Sequence, residues 1–259
     1  MPSRAGCRPV VELKSGRDRE KMRHAGRVVA EVLVLLRQAV RAGITTRDLD
    51  VIADREIRAR GGIPVFKGYH GYPASVCVSI NDQVVHGIPG NRVIRSGDLV
   101  SIDLGATVEG FVGDSAFSMF AGDAPSERAA ELLKVTEESL YKGIQAAVVG
   151  GRLGDIGAAV QQHVEANGFS VVRDFVGHGV GRQMHEEPQV PNYGTQGKGM
   201  LVKPGLAIAI EPMVNMGGHQ VDVEDDGWTV TTRDHSLSAH FEHTIFIDAD
   251  GPEILTAIS

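Results

Sequence analysis

The sequence is poor in cysteine, in aromatic residues and in long apolar runs. Two cysteines occur in 259 residues, Cys7 in a polar N-terminal stretch and Cys77 inside a strand-like run, so a disulfide framework is not expected. The longest apolar run near the start, Val32–Leu36, is flanked by Glu31 and Arg37 and reads as one face of an amphipathic helix. It is too short for a membrane span, and no apolar stretch of signal-peptide length follows Met1. The expected setting is therefore a reducing cytoplasm with no membrane partner. An excess of positive charge is also missing: the net charge is -7. That balance argues against direct, specific nucleic-acid binding.

What is present suits a soluble globular chain, with 42% hydrophobic and 23% charged residues. Residues 1–10 read as a flexible tail and residues 11–259 as one catalytic domain. A helix is predicted from the capping pattern Ser15–Asp18 to Gly43, with Met22, Val29, Val32, Leu33, Leu36 and Val40 at helical spacing. A second opens at Thr45–Asp48 and stops at Gly61–Gly62. A third runs from Pro125–Ser126 to about Val149, and a fourth covers Leu153–Asn167.

The two helix pairs match at an offset of 107 residues. Gln38, Ala39, Gly43, Asp48, Leu49 and Gly61 meet Gln145, Ala146, Gly150, Asp155, Ile156 and Gly168. A duplication with halves of about 15–122 and 123–259 accounts for this register; shared capping chemistry alone is the alternative. Strand-like segments fill the rest: Ile63–Phe66, Val76–Ile80, Leu99–Leu104 and Phe111–Phe120 in the first half, then Ser170–Phe175, Ala207–Val214, Trp228–Thr232 and Ala239–Ile247. The predicted class is α+β, a curved antiparallel sheet covered on one face by two helix pairs.

Acidic residues interrupt these apolar strands. Val100-Ser-Ile-Asp-Leu-Gly105 and Gly110-Phe-Val-Gly-Asp-Ser115 read as hairpin arms. A turn centred on Val108–Glu109 makes facing residue numbers sum to 217, which sets Asp103 opposite Asp114. Two buried, facing carboxylates repel each other, and a cation resolves the conflict. Glu211 closes the run Leu206–Ile210 and lies 108 residues after Asp103, close to the repeat offset. Glu242 sits inside another predicted strand, and His178 is framed by Gly177 and Gly179, which permit close approach. Taken singly, each has a bland reading as a strand end, a surface acid or a core histidine. Together, four carboxylates and one imidazole suit two divalent cations, with oxygen-rich ligation favouring Mn, Fe or Co over a thiolate zinc site, although Zn fits the set too. Such paired ions commonly serve amide hydrolysis.

With these residues in view, Gly68-Tyr-His-Gly-Tyr-Pro-Ala-Ser-Val-Cys-Val-Ser-Ile-Asn81, Val85-His-Gly-Ile-Pro89, Gly177-His-Gly-Val-Gly-Arg-Gln-Met-His-Glu-Glu-Pro188, Ile210-Glu-Pro-Met213 and Phe241-Glu-His-Thr244 resemble type I methionine aminopeptidases. The resemblance runs from about residue 11 to the C-terminus. It implies the pita-bread fold and removal of the initiator methionine from nascent proteins with a small second residue, through a water or hydroxide held between two metal ions. It implies that Asp114 and Glu242 bridge the ions, that Asp103 completes one site, and that His178 and Glu211 complete the other. By the same resemblance Glu211 handles the proton of the water, His185 stabilises the oxyanion, and His86 contacts the substrate near the leaving amine. Tyr69, Tyr72, Cys77 and Trp228 would line the methionine pocket, with His70 at its entrance. A monomer is expected, and association with the ribosome near the exit tunnel fits such a substrate. Met184, Phe66 and His240 depart from the family pattern, at positions where an aromatic, a smaller residue and an amide are more usual, and bear on pocket shape. The competing readings are a proline-directed peptidase of the same fold and a non-catalytic binding homologue. An extra N-terminal domain would favour the first and lost ligands the second.

Overall fold

The computed structural model describes residues 11–257; the predicted tail, 1–10, lies outside them. Four helices form where capping chemistry predicts: α1 (Gly16–Ala39), α2 (Thr46–Ala59), α3 (Glu127–Ala146) and α4 (Leu153–Ala166). At the start of α1, Ser15 Oγ accepts from the Asp18 N–H while the Asp18 carboxylate accepts from the Ser15 N–H, which satisfies two donors no helix turn can reach. Thr45 and Asp48 repeat the arrangement at α2. α1 ends at Ala39, earlier than the predicted Gly43. That glycine instead takes a left-handed φ of 92° and donates to the Ile94 carbonyl, turning the chain into the next element. α3 likewise stops at Ala146, short of Val149.

The repeat is structural. Adding 107 to α2, Thr46–Ala59, and to the strand Ile63–Pro64 gives α4, Leu153–Ala166, and the strand Ser170–Val171. Gly43 and Gly150, and Gly61 and Gly168, share left-handed backbones at the same offset. Capping alone does not produce such equivalences beyond the helices; the two halves are pseudo-symmetric.

The halves meet in a curled antiparallel sheet. Its strands run in the order Ile63–Pro64, Leu99–Val108, Phe111–Phe120, Glu242–Asp248, Leu206–Ile210, Gly177–Gly179 and Glu186–Val190. Cys77–Ile80 adds to Leu99–Val108, and Gly251–Ile254 to Glu242–Asp248. Helices cover one face. Val29, Val32 and Leu36 of α1 and Leu140 and Ile144 of α3 pack on Ile102, Leu104, Ile208 and Ile245 in one core. α1 lies especially close at Gly113, where an added Cβ would stand 2.8 Å from backbone atoms of Ala25 and Gly26.

Two strand expectations are corrected. The predicted Ala207–Val214 and Ala239–Ile247 each divide in two. Leu206–Ile210 and Glu242–Asp248 pair in the large sheet, whereas Met213–Asn215 and Ser238–His240 pair in a separate three-stranded sheet with Ser170–Val171. Pro212 lacks an N–H for the ladder, so both chains cross between sheets at Glu211–Pro212 and Phe241. The second half's first strand is also brief, Ser170–Val171 where Ser170–Phe175 was expected. Among the described residues no helix is long and apolar enough to cross a membrane.

Candidate active site

The hairpin Leu99–Phe120 supplies two of the acids, in a register that differs from the one expected. Glu109 and Gly110 form the turn, both left-handed with φ of 50° and 78°. Such a turn suits strand twist, and β-branched Val108 resists it. Facing residues therefore sum to 219: Asp103 pairs with Ala116, and Asp114 with Gly105. The shift of two keeps both aspartates on one face as diagonal neighbours. Ala116 in turn pairs with Glu242, so Asp103, Ala116 and Glu242 form a row across three strands with a small residue at its centre.

Polar side chains stitch the seam between halves. Asp114 N–H donates to Thr244 Oγ1, which donates to the Asp114 carbonyl, and Ser115 Oγ donates to the Glu242 carbonyl. Ligand atoms of Asp114, His178 and Glu242, all buried, lie within 4.8 Å of one another. His178 Nδ1 sits 2.9 Å from the Gly179 carbonyl, which assigns the ring proton to that nitrogen and leaves the Nε2 lone pair free. This Nε2 stands 3.8 Å from Asp114 Oδ2 and 3.6 Å from Glu211 Oε1.

Crowding perturbs every ionisable group in the cluster. Burial raises Asp114 to about 7. Burial, then repulsion from neighbouring carboxylates, pushes Asp103, Glu211 and Glu242 well above their ordinary range. Burial lowers His178 to about 3. Oxygens of Asp103, Asp114 and Glu242 are buried without a hydrogen-bond partner. Orphaned carboxyl oxygens around an available imidazole lone pair suit divalent cations, and the donor set of four carboxylates and one histidine fits hard or borderline ions.

A cavity of about 150 Å³ opens over this cluster, with Asp103 and Glu211 in its wall. Its apolar side carries Phe66, Tyr72, Cys77, Met184 and Trp228. The Tyr72 ring lies 5.1 Å from Trp228 and 6.5 Å from Phe66, edge-on to both. Its hydroxyl donates to the Val76 and Gly87 carbonyls. His86 reaches the wall from a left-handed backbone, φ 60°, packed edge-on to Phe175 and Trp228. Burial holds His86 down at about 4, so it is neutral at pH 7. His185 also lines the cavity, its Nδ1 2.7 Å from the Tyr69 hydroxyl and its ring 4.3 Å from that of His178.

Residues 20–249 match metallopeptidase family M24, and the chain is 52% identical to a methionine aminopeptidase of Clostridium perfringens, across 96% of this chain and all of that one. The chain belongs to metallopeptidase family M24, among its methionine aminopeptidases. The crystal structure of methionine aminopeptidase from Thermotoga maritima superposes with a TM-score of 0.94 at 45% identity, covering 96% of this chain and 100% of that one. Prolidase from Pyrococcus furiosus shares the fold alone, with a TM-score of 0.78 at 20% identity over 95% of this chain and 66% of its own. The chain thus has the pita-bread fold of the methionine aminopeptidases.

Of the five expected ligands, Asp114, His178 and Glu242 bring ligand atoms within 4.8 Å of one another, Glu211 approaches His178 at 3.6 Å, and Asp103 lies diagonal to Asp114 on the same hairpin. His86, His185, Tyr69, Tyr72, Cys77 and Trp228 line the cavity above them. His70 stands apart: it is exposed and packs edge-on against Tyr69, outside the cavity wall. Phe66 and Met184 do contribute to the wall, whereas His240 is buried behind it, its Nε2 3.9 Å from Glu211 Oε2. Val85, Phe175 and Val176 also line the cavity and escaped sequence reasoning. Their neighbours His86 and Gly177-His178 were the available signal.

Proposed function

We propose that this methionine aminopeptidase removes N-terminal methionine from newly made proteins with a small second residue, using the carboxylate cluster as a two-ion centre. The observation that carries the reading is the apolar, sulfur-compatible cavity set directly over buried, partnerless carboxylate oxygens. A thioether is flexible and favours aromatic edges, which Tyr72 and Trp228 offer. Asp103, Asp114, His178, Glu211 and Glu242 would hold two divalent ions, with Asp114 and Glu242 at the centre of the seam.

When bound, the two ions would polarise the peptide carbonyl and make a water acidic enough to attack at neutral pH. Mn, Fe or Co suits the donor set best, and Zn is compatible. Glu211 would accept the proton from the attacking water and deliver it to the leaving amine. His185 Nδ1 lies 2.7 Å from the Tyr69 hydroxyl; in the tautomer that accepts from this hydroxyl the ring's proton is on Nε2 and would be donated to the developing oxyanion. Neutral His86, locked between Phe175 and Trp228, would contact the substrate backbone near the leaving group. A small second residue is expected next to the cluster. The reading extends to a monomeric, single-domain enzyme in the cytoplasm, where nascent chains leave the ribosome.

Turnover of Met-Ala and Met-Lys peptides with added Mn or Co tests this directly. Release of methionine from Met-Ala but not Met-Lys is expected; equal turnover of both contradicts the preference for a small second residue, and no turnover of either removes the peptidase reading. Cosedimentation with ribosomes at low salt tests the proposed place of action.

A further inference from the structure

The loop Gly181–His185 brings His185 and Met184 to the cavity, yet little of it is buried: Arg182, Gln183 and His185 are all exposed. Side-chain contacts to the loop come from the Tyr69 hydroxyl, 2.7 Å from His185 Nδ1, from the His178 ring, 4.3 Å from that of His185, from Met184 packed against Phe66, Tyr72 and Cys77, and from Arg182 over the Phe111 ring at 4.5 Å. Beneath the loop lies a lysine from a distant part of the sequence. The Lys14 side chain is 1% exposed, and its ammonium donates to Glu186 Oε2 at 2.6 Å. The other oxygen, Glu186 Oε1, accepts from the Gln183 N–H at 3.0 Å. One carboxylate, just past the loop, thus ties the loop's midpoint at Gln183 to a buried cation.

The surroundings are shaped around this strut. A Cβ at Gly181 would lie 2.3 Å from Lys14 Cε and 2.8 Å from Glu186 Oε1, so a larger residue there would push the lysine's end and the carboxylate out of their present places. The Lys14 N–H donates to the Gly205 carbonyl, and the Gly205 N–H donates to Ile247 in the central strand. Gly205 itself has φ 85°, and its Cβ would meet the Lys14 carbonyl at 2.7 Å. The strut therefore rests on the sheet that carries Glu211 and Glu242, the same frame as the cluster His185 must address.

We propose that Lys14 is a positioning residue: through its buried ion pair with Glu186 it holds the Gly181–His185 loop and fixes His185 over the carboxylate cluster. The consequence for turnover rests on the peptidase reading above; the mechanical claim does not. Glu12, exposed and 3.4 Å from the ammonium, is a weaker second partner; a buried charge that loses its close partner is disfavoured, so removing either member of the Lys14–Glu186 pair should loosen the loop. A histidine displaced by an ångström no longer meets the developing oxyanion, and such misplacement costs up to about 100-fold in rate.

The test uses the full chain loaded with Mn, with Lys14→Met removing the charge while keeping the stem, and Glu186→Gln weakening the tie to Lys14 while leaving an acceptor for the Gln183 N–H. Expected for Lys14→Met is a fall in kcat on a Met-Ala peptide of roughly 10–100-fold with KM nearly unchanged, the signature of an interaction made in the transition state. Bound Mn per chain should equal that of the parent. Amide exchange should quicken at 183–187 and stay slow in Leu206–Ile210, and the His185 ring signals should broaden. Glu186→Gln should move each readout the same way by less, and it decides the matter if Lys14→Met does not fold. Unchanged exchange in the loop overturns the proposal, as does loss of protection throughout the sheet, or an unaltered kcat in a loosened loop. Were the parent protein inactive on methionyl peptides, the peptidase reading would fall, while exchange and the His185 signals would still judge the strut.

Discussion

Asp103 and Asp114 meet diagonally across a hairpin, because Asp103 pairs with Ala116 and Asp114 with Gly105. Gly105 leaves room beside Asp114: a Cβ there would lie 3.2 Å from Asp114 Oδ1 and 2.6 Å from Val65 Cγ1. Small residues at 105 and 116 let four acids share one face without steric conflict, leaving only their mutual repulsion to be resolved.

Removing the central carboxylate should therefore remove the ions. Asp114→Asn is expected to lose bound Mn and to lower methionine release by more than the roughly 10–100-fold that outlying partners of metal ligands cost. Gly105→Ala should lower Mn affinity without touching a ligand. Metal analysis after dialysis, alongside peptide turnover, checks both; full Mn content in Asp114→Asn would refute its role as a ligand.

Without metal, the acids make stability depend on pH. Their folded pKa values are raised above the unfolded ones, to about 7 for Asp114 and well upward for the others. The folded state then binds more protons than the unfolded, so this stabilisation is present below the unfolded carboxylate range and is lost as pH rises through about 7. His178 and His240, both lowered to about 3, act oppositely, but their contribution is complete above the unfolded value of 6.5. Between pH 6.5 and 8 the carboxylates alone remain. The Tm of chelator-treated protein should fall across that interval, and Mn should flatten the trend. A Tm that rises instead, or that Mn leaves sloping, would count against the cluster.

Trp228 forms the cavity wall with Tyr72 and touches His86. Trp228→Ala should reduce kcat/KM for methionyl peptides by roughly 10–200-fold, the range a pocket contact typically commands. Mn content should not change. Equal kcat/KM in parent and variant would place the methionine side chain elsewhere.

Close packing of α1 on the sheet depends on Gly113, which meets the backbone of Ala25 and Gly26. Gly113→Ala should destabilise the fold by about 1–3 kcal/mol, as overpacking generally does, lowering Tm by roughly 2–4 °C per kcal/mol. Calorimetry on the metal-loaded protein measures it, and an unchanged Tm would show that the helix yields.

Helices were legible because their ends are local chemistry: Ser15–Asp18 and Thr45–Asp48 cap as written, and the duplicated glycines fix both pairs. The candidate ligands were legible because a charge inside an apolar strand is conspicuous. Register was not. Placing the turn at Val108–Glu109 rather than Glu109–Gly110 depends on which residue tolerates a left-handed backbone, and a shift of two leaves the apolar pattern unchanged. Strand breaks at Pro212 and Phe241 were hidden as well, since the apolar run continues while its hydrogen-bond partner changes sheet. Lys14 carried no local signal; its partner lies 172 residues away.

The strand Glu242–Asp248 comes late in the sequence yet sits mid-sheet, paired to Phe111–Phe120 of one half and Leu206–Ile210 of the other. It is the keystone of the arch, and it delivers Glu242. A chain shortened before it would own two half-arches, most of the acids, and nowhere to set the ions. Capture of a divalent metal by the proposed cluster would thus report that the arch has closed, and a purification that selects for the metal-bound form would select at the same time for molecules whose two halves have joined.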